Sequence, residues 1–207
     1  RRVLFRSQAR LNVFEVDELD FLSTPGFTRA ESEAGLKLLN QWVLCTYPIP
    51  APSGFPEDAC RRTATTNEWQ GTSAALIKSA YGGNGLPNAT YSDSYVPTGW
   101  STAGQTTLYQ NVVAKSCRGC HSLRGNGVQN DLDFDSYAKF VGYADRIKAH
   151  VFDRGNMPLS RLVYQRLFSS GNISYLADFL TGQGYTVRDS NGAIRSAPFP
   201  VAEIGRA

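Results

Sequence analysis

Cys117-Arg118-Gly119-Cys120-His121 decides how the rest of this 207-residue chain is read. Two thiols three positions apart are followed at once by an imidazole. That order suits covalent attachment of a c-type haem. Each thiol can add to one vinyl group on a porphyrin edge, and the next residue then offers a nitrogen to the iron. Two other chemistries use the same residue types. A zinc site needs a fourth ligand, for which His150, Cys45, Cys60 or a carboxylate is at hand. A redox dithiol needs only the two cysteines. The histidine placed directly after the second thiol favours the haem.

Downstream, Arg154-Gly155-Asn156-Met157-Pro158 holds the only methionine of the chain. A thioether is a soft ligand that raises the reduction potential of a haem iron, and His/Met pairs are common in small electron carriers. Pro158 disfavours the helical region for Met157, so this stretch reads as a loop. His150 is the rival for the sixth position; it lies seven residues earlier, near the end of a predicted helix.

Taken together, Gly104-x4-Tyr109, Cys117-x-x-Cys120-His121 and Met157-Pro158 before a last helix resemble a class I cytochrome c domain. The resemblance covers about residues 104–182. It implies a mainly α fold with one covalently attached haem c. Cys117 and Cys120 anchor the porphyrin, and His121 and Met157 hold the iron. It also implies that the first and last helices cross, with Tyr109 meeting Tyr175, Leu176 or Leu180. The family usually carries a proline after the motif, whose carbonyl orients the ligand histidine. None occurs between His121 and Met157. A carbonyl within 122–129 is expected to take that role.

Periodicity supplies the elements. Leu108, Tyr109, Val112 and Val113 recur at helical spacing and lead into Cys117. Asp133 or Asp135 can cap a helix over about 136–152, with Phe140, Val141, Ala144, Ile147 and Val151 on one face. Further helices are expected over 160–168 and 173–181. Beyond them, 185–194 with its Asn191-Gly192 turn reads as a short β-hairpin tail within an extension over 183–207. Upstream, Thr28-x-x-Glu31 is a capping box, followed by Leu36, Leu39, Trp42 and Val43. A helix is expected from Arg29 to about Cys45, ended by the proline-rich stretch 47–52. Cys45 and Cys60 flank those prolines, and a disulfide between them would staple the segment 8–66, read as the tail of an upstream domain. Residues 67–103, rich in glycine and tyrosine, read as an irregular linker or cover.

Residues 1–7, Arg-Arg-Val-Leu-Phe-Arg-Ser, resemble a translated sequencing adapter and are set aside. The chain is therefore expected to begin in mid-protein, with any signal peptide lost upstream. The net charge of +3 includes three arginines of that scar. What remains is 18 basic and 18 acidic side chains, with 6 against 10 in 8–100 and 12 against 8 in 101–207. No basic stripe of the kind that tracks nucleic acid is present, no apolar run is long enough to span a membrane, and no hydrolytic triad or phosphate loop stands out.

The function expected from these residues is electron transfer through one haem c. The setting is a domain of a larger periplasmic or extracellular bacterial redox protein. Its partner is a redox protein or an upstream domain of the same chain, which includes fusion to an oxidoreductase. The alternative is a haem enzyme with an open or displaceable distal site, carrying out peroxidase or other small-molecule redox chemistry. A haem-based sensor is a third reading. Arg146, Arg154, Tyr137 and Tyr143 flank the distal stretch and are candidates to meet the propionates.

Overall fold

A computed structural model describes residues 12–45, 72–83, 85–122 and 131–194. The chain divides into two compact units, one from Arg1–Tyr95 with Ser122–Asp133 and one from Val96–His121 with Phe134–Ala207. Among the described residues, helices are the main element of both. No strand is present among the described residues, only two isolated bridges.

In the first unit, helix α1 (Arg29–Cys45) starts at the predicted capping box. The Glu31 carboxylate accepts from the Thr28 and Gly26 backbone N–H groups at 3.2 and 2.8 Å. The Glu31 N–H in turn donates to Thr28 Oγ1 at 3.4 Å. The Thr28 hydroxyl and then these backbone donors hold the Glu31 carboxyl below its ordinary value. The buried face of α1 differs from the expected one. Leu39 and Trp42 remain 44% and 41% exposed, while Asn40, Val43 and Leu44 are buried. Asn40 turns inward because its carboxamide pairs with backbone: Oδ1 accepts from the Phe14 N–H at 2.8 Å and Nδ2 donates to the Phe14 carbonyl at 3.0 Å.

Helix α2 (Thr72–Ala80) lies inside the stretch expected to be irregular. Ala74, Ile77 and Ala80 recur at helical spacing, and with Leu76 they join Val13, Val16, Val43, Leu44 and Tyr81 in one core. Leu76 and Ile77 are fully buried, which contributes about 2 kcal/mol each.

Arg29 ties this unit together. Its Nε donates to Glu33 at 2.9 Å, and its Nη2 donates to Asp17 at 2.6 Å and to the Tyr91 carbonyl at 2.9 Å. Glu33 also accepts from the Tyr91 N–H at 3.2 Å, and Asp17 from the Asp93 N–H at 2.9 Å. Arg29→Met would leave the buried Glu33 carboxylate without its guanidinium. Because Arg29 is partly exposed, the expected loss is discounted to about 2 kcal/mol. The urea midpoint reads it, with Arg188→Met as the control, since the Asp178 partner of Arg188 is largely exposed. Equal shifts for the two variants would refute the prediction.

The second unit opens with α3 (Thr98–Ser101). One continuous helical run follows: α4 (Thr106–Leu108), a π-helical stretch π1 (Tyr109–Cys117) and α5 (Arg118–His121). Then come α6 (Tyr137–Val141), α7 (Ala144–Ile147), a second π-helical stretch π2 (Lys148–Asp153), α8 (Arg161–Ser169) and α9 (Ile173–Gly182). π1 packs on both α8 and α9.

Trp100 is fully buried at the centre of an aromatic cluster. Its ring lies 5.2 Å from Tyr109, 5.6 Å from Tyr137 and 5.2 Å from Phe140. Phe140 in turn meets Phe179 of α9 at 5.0 Å. Gly99 lets α3 come this close: a Cβ there would lie 2.5 Å from Ser136 Cβ.

Several expectations change here. The helix expected over 136–152 is two pieces, α6 and the run of α7 into π2, broken at Gly142-Tyr143. Its cap is Ser136, whose Oγ accepts from the Lys139 N–H at 3.4 Å, rather than Asp133 or Asp135. Of the three partners expected for Tyr109, Tyr175 is 41% exposed, while Leu176 and Leu180 are buried on α9, which packs on π1; Tyr109 also packs on Trp100. The expected hairpin tail reduces to one antiparallel bridge between Arg188 and Ile194. The Asp189 carboxylate organises that turn by accepting from the Asn191 and Ala193 N–H groups at 2.8 and 2.9 Å. This is a side-chain-closed loop, not a ladder. Cys60 lies outside the described residues, so the Cys45–Cys60 staple has no counterpart in the described structure.

Candidate functional site

Cys117 ends π1, and Cys120 and His121 follow on α5. At about 100° per residue, positions 117, 120 and 121 fall within an arc of about 100° on one side of a helix. The run thus brings both thiols and the imidazole to one face. Cys120 is exposed, while Cys117 and His121 are partly buried. Both cysteines carry free thiols. Arg118, between them, is 1% exposed.

Burial pushes the Cys117 thiol up to about 12, and the neighbouring Cys120 adds to the shift. A thiol raised above its ordinary 9.0 favours the folded state below about pH 9. That contribution is lost as pH climbs towards 12. A reactive redox dithiol needs the opposite, a lowered value. At about pH 8, Cys120 of the unmodified chain is expected to alkylate at least tenfold faster than Cys117. Peptide mapping after a timed iodoacetamide pulse measures this, and equal rates would rule out the buried thiol.

His121 is held by its neighbours. Its ring stacks on Phe134 with centroids 4.6 Å apart and planes 16° apart. Phe134 has φ +50°, a left-handed conformation that costs a bulky side chain about 1–2 kcal/mol. Trp100 Nε1 donates to the Phe134 carbonyl at 2.7 Å. The Phe134 ring also meets Phe140 edge-on at 5.2 Å and Tyr143 at 6.0 Å.

Met157 sits on the loop between π2 and α8, in the same unit as the motif, and is 36% exposed. His150 holds this loop. Its carbonyl accepts from the Asn156 and Met157 N–H groups at 3.0 and 3.3 Å. Its Nδ1 lies 2.8 Å from Asn156 Oδ1. The sequence-level rival of Met157 therefore braces the loop that carries Met157.

Of the four propionate candidates, Arg146 lies 5.3 Å over the Tyr143 ring, and Tyr143 meets Phe134. These two join an aromatic path that ends at His121. Arg154 is exposed in the turn after π2, and Tyr137 packs between Trp100 and Phe179. Of the stretch 122–129 expected to orient the imidazole, 123–129 lie outside the described residues. A cleft of about 470 Å³ lined by Gln105, Leu108, Tyr137, Tyr175 and Phe179 is built from none of Cys117, Cys120, His121 or Met157.

The donor set fits a covalently bound haem: two thiols for the porphyrin edge, an imidazole beside them, and a thioether on a braced loop. The Ser116 hydroxyl adds a buried oxygen with no hydrogen-bond partner among the described residues. No group of three or more His, Cys, Asp or Glu side chains among the described residues is placed to hold a metal ion by itself. A haem iron takes four of its ligands from the porphyrin and asks the chain for one or two. Among the described residues, no helix is long and apolar enough to cross a membrane.

Sequence reasoning missed Trp100, Phe134 and Asn156. Asn156 stood in the quoted Met157 loop. Trp100 and Phe134 are 34 positions apart and carried no local signal. No protein-family model, no curated protein and no solved structure matches this chain.

Proposed function

We propose that the second unit is a class I cytochrome c-like electron-transfer domain carrying one haem c. The observation that carries this reading is the placement of Cys117, Cys120 and His121 on one face at the end of a single helical run. Haem c, when bound, supplies one-electron chemistry between ferric and ferrous iron. The chain does the rest. Cys117 and Cys120 anchor the porphyrin edge. His121 and Met157 would hold the iron, with Met157 presented by the loop that His150 and Asn156 brace. Arg146 and Tyr143 are the foremost candidates to meet propionates. The aromatic cluster around Phe134 lowers the local dielectric and holds His121.

On this reading the domain belongs to a periplasmic or extracellular bacterial protein. It exchanges electrons with a redox partner or with another domain of the same chain. The exposure of Met157 also supports an enzymatic reading, in which the thioether is displaced by a small molecule such as a peroxide.

The test is an optical spectrum of the full chain, expressed in a bacterial periplasm with a haem-attachment system. Haem that survives denaturation, a far-red ferric band from Met-to-iron ligation and slow carbon monoxide uptake are expected. Covalent haem without that band, and with immediate carbon monoxide binding, would favour the enzyme. A chain free of haem would overturn both.

A further inference from the structure

We propose that Phe134, locked by Trp100, is a positioning residue that sets the plane of the His121 imidazole. The inference rests on the haem reading for its purpose, but the clamp itself is a property of this chain. A phenylalanine at φ +50° is a conformation that persists only where the surroundings over-determine it. Here they do. The fully buried Trp100 donates its indole N–H to the Phe134 carbonyl at 2.7 Å. Two residues on, Ser136 bridges to Gly99, at the one position of α3 where a Cβ would collide. Phe140 and Tyr143 close on the ring from the sides. Backbone and ring of Phe134 are thus fixed independently of His121.

The contact suits a ligand histidine. Stacking covers a face of the imidazole, at 4.6 Å and 16°. Both ring nitrogens lie in the plane and point out from its edges, so the stack restrains rotation without using a nitrogen lone pair. Carbonyl or carboxylate partners usually fix a ligand imidazole through its second nitrogen. In this chain an aromatic face adds a restraint of its own. The plane angle of an axial imidazole governs the anisotropy of the ferric signal, so the clamp has a spectroscopic signature.

The experiment starts with the full chain made without the attachment system. Nuclear Overhauser contacts between the His121 and Phe134 rings are expected, with His121 ring protons shifted upfield. Phe134→Leu should abolish that shift and Phe134→Tyr should keep it. In the haem-loaded chain, wild type and Phe134→Tyr should give one sharp set of ferric g-values. Phe134→Leu should give a broadened or split set while its haem stays covalently bound. Missing ring-to-ring contacts in the wild type would overturn the proposal whether or not any variant folds. So would g-values indifferent to Phe134→Leu. Ring contacts present in a chain that never acquires covalent haem would support the clamp and overturn the haem reading instead.

Discussion

A chain with both Cys117 and Cys120 replaced by serine is expected to lose all of its denaturation-resistant haem. Each single variant should keep one thioether and show the shifted ferrous absorption of a haem that retains one vinyl group. The loss follows from placement: both thiols lie on the helical face that carries His121, so removing both leaves that face without an anchor. Haem staining of a denaturing gel, with spectra of the reduced protein, checks it. Retention of covalent haem in the double variant would defeat the assignment of the anchors. A wild-type chain that binds zinc and no haem would return the three residues to a metal or thiol role.

Trp100→Ala should be the most damaging single change to the second unit, at about 4 kcal/mol. The indole is fully buried against Tyr109, Tyr137 and Phe140, so its loss opens a cavity in the aromatic cluster. It also strands the Phe134 carbonyl, which adds about 1 kcal/mol. Against a typical domain stability of about 5–15 kcal/mol, this is a large fraction. Urea denaturation of the full chain measures the loss, with Trp42→Ala as control because that indole is 41% exposed. Equal midpoints for the two variants would contradict the packing described here.

What could be read from sequence was local. The capping box at Thr28 and Glu31 is four residues long and located the start of α1. The repeat of Leu108, Tyr109, Val112 and Val113 located the run into Cys117, and all four are buried. The helices expected over 160–168 and 173–181 match α8 and α9 within a residue. The errors share a cause, which is partners distant in the chain. Asn40 carries no inward signal in the sequence, because its bond to Phe14 spans 26 positions. Trp100 reads as part of a linker or cover, and not as the centre of a core, because its acceptor lies 34 positions away. The break at Gly142 was hidden by an apolar stripe that continues across it. In the site, the common helical face of Cys117, Cys120 and His121 was legible because spacing alone carries it. How His121 and Met157 are held was not, since Phe134 and His150 act through geometry.

The winding of π1 has a last consequence. Its hydrogen bonds skip one residue more than those of an α-helix, as where the Arg118 N–H reaches the Val113 carbonyl. The stretch therefore holds slack: removing one residue between 110 and 116 would let it tighten to α spacing and take up much of the loss. The same deletion in an α-helix, which has no slack to give, turns everything beyond by about 100°. The winding ahead of the cysteines thus buffers the direction in which the motif faces against a change in the length of the chain.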